Sequence, residues 1–171
     1  NPNGIEPQLL LSQYYLSNNE PTKSLIISKQ ALNVYPQHPS LLALMGDAQR
    51  QLGLQKSSIK SFKTLQKIAP KMFFPHYRLA EVYEKTGQFQ LADTAITHAL
   101  QLKPKHLGVL VIKTRVALKT GDIEEAKTTV EQLKKSIPTS LTVDKLQAQI
   151  ALSEGRSADA VNLYQKILTR Q

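Results

Sequence analysis

The chain has 171 residues, 41% apolar and 20% charged, a balance that suits a packed domain rather than a disordered segment. It has no cysteine, which excludes disulfides, thiolate metal sites and a cysteine nucleophile, and no apolar run of the roughly 18 residues that a membrane-spanning helix needs. The formal net charge of +9 admits a polyanionic partner such as nucleic acid, an acidic polysaccharide or a membrane surface.

The first predicted helix pair covers residues 5–38. Ser12 and Ser24 are small enough to let its helices cross closely, Asn19 makes the turn between them, and Pro36 stops the second helix. The same scheme returns 34 residues later over 39–72, with Gly46, Gly53, Ser58 and Pro70. It returns again over 73–106 with Ala80, Gly87, Ala92 and Pro104, where Leu79, Tyr83 and Ile96 fall at the spacing of a core-facing helical stripe. The fourth pair, 107–140, has Thr114, Gly121, Ala126 and Pro138. Its Asp122, Glu124 and Glu125 open a helix, where negative charge complements the helix dipole, so capping explains them better than acid–base chemistry does. The fifth, 141–171, has Ala148, Gly155 and Ala160. Its last helix carries Val161, Leu163, Tyr164, Ile167 and Leu168, more apolar surface than its own partner helix should cover. Further repeats beyond Gln171, or self-association through this end, are therefore expected, and the start at Asn1 without Met fits a piece of a longer protein.

Catalytic constellations are absent from this pattern. His38, His76, His98 and His106 lack ligand spacing, and His76 is expected to pack; no glycine-rich phosphate loop occurs. The expectation is no catalytic residue, no metal, no cofactor and no enzyme. Charge is the competing signal. Between Ala48 and Ala80 lie seven basic residues and no acid, and Lys56, Lys60, Lys63 and Lys67 form one stripe on the second helix of the second pair. The plain reading is a solvated outer face that binds polyanions weakly. The sharper one is a contact for an anionic polymer or membrane surface, with nucleic acid disfavoured because no aromatics interleave.

Small residues at positions 8 and 20, Gly at 15 and Pro at 32 of a 34-residue unit resemble the tetratricopeptide repeat along essentially the whole chain. The sequence departs from that repeat where a Trp is usual, with Gln8, Leu42, His76, Leu110 and Asp144 instead, and at Lys113, Gln147, Leu65, Leu133 and Ile167. The resemblance implies an all-α, right-handed superhelical solenoid forming a single array, whose first helices line a concave groove for a protein or peptide. Carried onto this chain, the groove positions include Gln13, Ala43, Asp47, Arg50, Phe74, Tyr77, Glu81 and Glu84, then Val111, Arg115, Leu118, Lys145, Gln149 and Leu152. The site is expected to centre on Asp47, Tyr77, Glu81 and Arg115. The family's carboxylate-gripping Lys and Asn are replaced by Leu9 and Gln13, which argues against that clamp. More narrowly, LLALMGDAQRQLG and the stretches 9–32, 76–126 and 144–168 look like bacterial lipoproteins associated with exopolysaccharide production and the PEP-CTERM sorting system. That likeness implies a periplasmic or outer-membrane-associated scaffold around polymer export, with a cytoplasmic site as the alternative.

Overall fold

The computed structural model describes residues 4–170, and every regular element among them is a helix. Two compact units divide at Thr86 and Gly87. The first holds α1 (Ile5–Ser17), α2 (Pro21–Val34), α3 (Pro39–Gln51), α4 (Gln55–Ile68) and α5 (Phe73–Lys85). The second holds α6 (Phe89–Leu102), α7 (Leu107–Thr120), α8 (Ile123–Ser136), α9 (Leu141–Ser153) and α10 (Ser157–Leu168). The all-α superhelical-repeat class expected from the 34-residue period is the class observed.

The turn series behaves as its residue types dictate. Gly53, Gly87, Gly121 and Gly155 all have positive φ, and Asn19 takes φ 57 at the equivalent place after α1. Asn is the side chain that tolerates this conformation best, and its turn is closed by Glu20 N–H donating to Tyr15 O at 2.8 Å. Pro21 and Pro39 start α2 and α3, positions where the missing N–H would have no helical partner anyway.

In the first unit α1 packs on α2 and α3, and α3 also packs on α4 and α5. The small residues meet at the crossings: Ser12 and Ser24 hydroxyls lie 2.7 Å apart, and Ser58 Oγ donates to Gly46 O at 3.1 Å. Gly46 is close to obligatory. A Cβ there would stand 2.5 Å from Cε1 of Phe62, a ring with no exposed surface. His76 packs, as expected, in the place where a Trp is usual. Its Nε2 is 3.1 Å from Pro70 O and its Nδ1 3.2 Å from Gln66 Nε2, and with Gln66 donating, Nδ1 accepts and Nε2 carries the proton.

The second unit builds its core from Leu110, Ala117, Val130, Leu133, Leu146 and Ile150, with smaller residues between them. Asp122 caps α8 by accepting from Glu125 N–H at 2.9 Å, which bears out the structural reading of that acidic cluster. Leu65, Leu133 and Ile167, which depart from the repeat's usual Ala, are all buried. Lys113 reaches Glu125 Oε1 at 3.1 Å. Asp144, at another Trp position, is buried and held by Arg170 Nη1 at 2.6 Å. On α10, Ile167 is buried, while Val161, Tyr164 and Leu168 face solvent; Gln171, where the fifth pair was expected to end, lies outside the described residues.

Candidate functional site

The first unit has a groove of 630 Å³ lined by the repeats' first helices and the residue that caps α5. Leu9, Leu10 and Leu16 of α1, Leu44 of α3, Met72 and Phe74 make it apolar. Leu10 is 64% exposed there, a large aliphatic side chain turned to solvent inside a concave surface. Exposed Glu6 of α1 is among its lining residues, and Asp47 and Arg50 of α3 with Arg78 of α5 supply the partly buried charges of its wall.

Those charges are tied to one another. Arg78 Nη1 donates to Glu81 Oε2 at 2.7 Å and Nη2 to Asp47 Oδ2 at 3.2 Å. Arg78 Nε comes within 2.9 Å of Asp47 Oδ1, close enough for an ionic contact but outside hydrogen-bond angles, so that Nε is buried without a hydrogen bond. Arg50 Nε donates to Asp47 Oδ1 at 3.2 Å and lies 3.9 Å from Glu81 Oε2. Burial works against the Arg78 charge, but Asp47 and Glu81 outweigh it and raise the Arg78 pKa above its ordinary value. The guanidinium also sits 5.0 Å from the Phe74 ring centre and 5.2 Å from that of Tyr77. Phe74 in turn meets Phe62 edge-on at 5.9 Å. A relay thus runs from Gly46 through Phe62 and Phe74 to Arg78, which makes the groove wall an extension of the α3–α4 crossing.

Of the residues named from the sequence, Asp47, Arg50 and Phe74 line this groove, and Glu81 joins the network behind it. Tyr77 stacks on Phe73 at 5.7 Å and is not among the lining residues; Glu84 is half-buried near the end of α5. In the second unit, Arg115, Leu118, Gln149 and Leu152 line a separate groove of 290 Å³ with Lys119 and Ser153. Val111 is half-buried and packs against the core cluster, as Leu118 also does, and is not among the residues lining that groove. Sequence reasoning met Leu9 only as the replacement for the clamp lysine and left out the rest of the apolar wall, Leu10, Leu16, Leu44 and Met72. The available signal was the run Leu9-Leu10-Leu11, more apolar residues than one buried stripe can accommodate. It also left out Arg78 as a groove residue, counting it in the basic run. Among the described residues no group of His, Asp or Glu is placed to hold a metal, and no helix is long and apolar enough to cross a membrane.

The family model described as Tetratricopeptide repeat matches residues 85–150. No curated protein matches the chain. Among solved structures, a thermophilic TPR protein of Thermus thermophilus is similar with 21% identity, covering 97% of this chain and 91% of that one at a TM-score of 0.76. MamA of Desulfovibrio magneticus RS-1, from its residue 41 onward, aligns at 18% identity over 96% of this chain and 93% of that one, TM-score 0.85. A tetratricopeptide repeat protein of Parabacteroides merdae aligns at 15% identity over 97% of this chain and 66% of that one, TM-score 0.83. At such identities the likeness is one of fold. Residues 85–150 therefore carry the tetratricopeptide repeat by sequence, and the fold of such repeat proteins extends over nearly all of the remainder.

Proposed function

We propose that the chain is a protein-interaction scaffold and that the groove of α1, α3 and α5 holds an apolar segment of a partner protein. One observation carries this reading: a concave surface in which exposed Leu10 and half-buried Leu9, Leu16 and Leu44 stand beside partly buried charges that are already paired. Such a surface offers a partner apolar anchoring without an unpaired buried charge to neutralise. Tetratricopeptide repeat proteins are typically non-enzymatic binders, and no catalytic role is proposed. The groove of Arg115, Leu118 and Leu152 in the second unit is a further contact of the same kind. A place in a bacterial exopolysaccharide export or protein-sorting assembly rests on the narrower sequence resemblance alone.

The test is calorimetry on a partner isolated from the source organism with the intact chain as bait. Phe74→Ala and Leu10→Ser should each weaken it by about 2 kcal/mol, roughly thirtyfold in Kd. Undiminished affinity in both variants would move the site elsewhere, and Tyr77→Ala with Arg115→Ala would then be the next pair to compare.

A further inference from the structure

The basic run that the groove did not absorb separates into two kinds of residue. Arg50 and Arg78 are neutralised by Asp47 and Glu81. Lys56, Lys60, Lys63, Lys67 and Lys71 are all exposed, and none forms an ion pair among the described residues. The exposed residues of α4 are its four lysines and Ser57; Ile59 and Ile68 are half-buried, and Phe62 and Leu65 are buried. The lysines repeat at three or four residues, so successive ammonium groups advance about 4.5–6 Å along the axis and span about 16 Å in all. Like charges at this spacing repel. No acid on α4 relieves them, and Glu20 is held by Lys23. Lys63 is partly anchored, its Nζ lying 6.0 Å over the Tyr83 ring.

We propose that the outer face of α4 binds a linear acidic polysaccharide, with the lysines meeting carboxylates on successive sugars and the Ser57 hydroxyl meeting sugar hydroxyls. The chemistry of the face selects this partner from the polyanions. Single-stranded nucleic acid draws on exposed rings to stack its bases, and the aromatic side chains beneath this face, Phe62 and Tyr83, are buried. An amphipathic membrane-surface helix adds inserting apolar side chains to its charge attraction, and α4 exposes none. A folded protein would need an apolar centre to its interface, which the same absence denies. The local repulsion is a conflict within the helix that a bound polyanion relieves.

The experiment is titration of the intact chain with alginate, a polyuronate, across a salt series. Binding with a log–log salt slope of about −3 is expected, a loss of about sixtyfold between about 50 and 200 mM salt. In Lys56→Gln/Lys60→Gln/Lys63→Gln/Lys67→Gln the slope should fall to near zero with circular dichroism and Tm unchanged. Because the substituted side chains are solvated, loss of fold is not the expected route to loss of binding. Failure to bind alginate at low salt, or binding unchanged in the fourfold variant, overturns the proposal. Tighter binding of oligothymidylate, of duplex DNA, of polyglutamate or of anionic vesicles than of alginate overturns the choice of polymer. None of these outcomes bears on the groove, whose test uses other residues.

Discussion

Gly46→Ala is the substitution that tests the relay from core to groove most directly. A new Cβ would lie 2.5, 2.8 and 2.9 Å from Cε1, Cζ and Cδ1 of Phe62. Carbon atoms pack at about 3.5–4.0 Å, so the ring must withdraw by about 1 Å, and Phe62 has no exposed edge through which to do so. Overpacking of this kind costs about 1–3 kcal/mol, and three clashing ring atoms place it at the upper end. Against this, Ala in a helix interior is about 1 kcal/mol better than Gly. Overpacking wins, for a net loss of about 2 kcal/mol in urea unfolding followed by circular dichroism. The displaced ring carries Phe74 with it, so partner affinity at the groove should fall although no groove residue has changed. Phe62→Leu in the same chain should recover part of both losses, giving a coupling energy of at least about 0.5 kcal/mol in the double-mutant cycle. If Gly46→Ala instead stabilises the protein by about 1 kcal/mol, helix propensity alone is acting and the α3–α4 crossing is looser than described.

Two further predictions concern the second unit. Arg170→Ala leaves the Asp144 carboxylate buried without its partner and should cost about 1–2 kcal/mol, a figure lowered because Arg170 is itself partly solvated. Asp144→Leu/Arg170→Ala, which restores the residue type of Leu42 and Leu110, should return to wild-type stability or exceed it in the same unfolding assay. His106 caps α7 by accepting from Val109 N–H at 3.3 Å. Burial first and Lys103 second lower its pKa, against a smaller opposing backbone hydrogen bond. With the folded pKa below the unfolded value of about 6.5, this contribution to stability is complete above that pH and is lost as pH falls from there through the folded pKa. His106→Asn keeps an acceptor at the cap without a titrating group. Its Tm should therefore drop less than wild type between about pH 7.5 and 5.5, and parallel curves would refute the role.

The fold was legible because turns and crossings depend on residue type at fixed intervals. Asn19 and the turn glycines mark positive φ whatever surrounds them, and Gly46 marks a crossing that tolerates no Cβ. The groove was legible only in outline. Asp47, Arg50 and Phe74 follow from their register on the first helices, but linear counting placed Arg78 with the lysines because charge along a sequence does not say which face of a helix carries it. Leu10 went unassigned because an exposed leucine and a core leucine look alike until the concavity is seen.

The closed network of Arg78, Asp47, Glu81 and Arg50 has a consequence for selectivity. These groups lose most of their water when the chain folds, so a partner entering the groove finds dipoles already fixed and little solvent left to reorganise. Discrimination among partners then falls to contour, to which side chains fit between Leu10, Leu44 and Phe74, rather than to the sign of their charge. Partially screened by their own burial, the pairs hold that contour across ionic strengths that would erase an attraction between exposed charges.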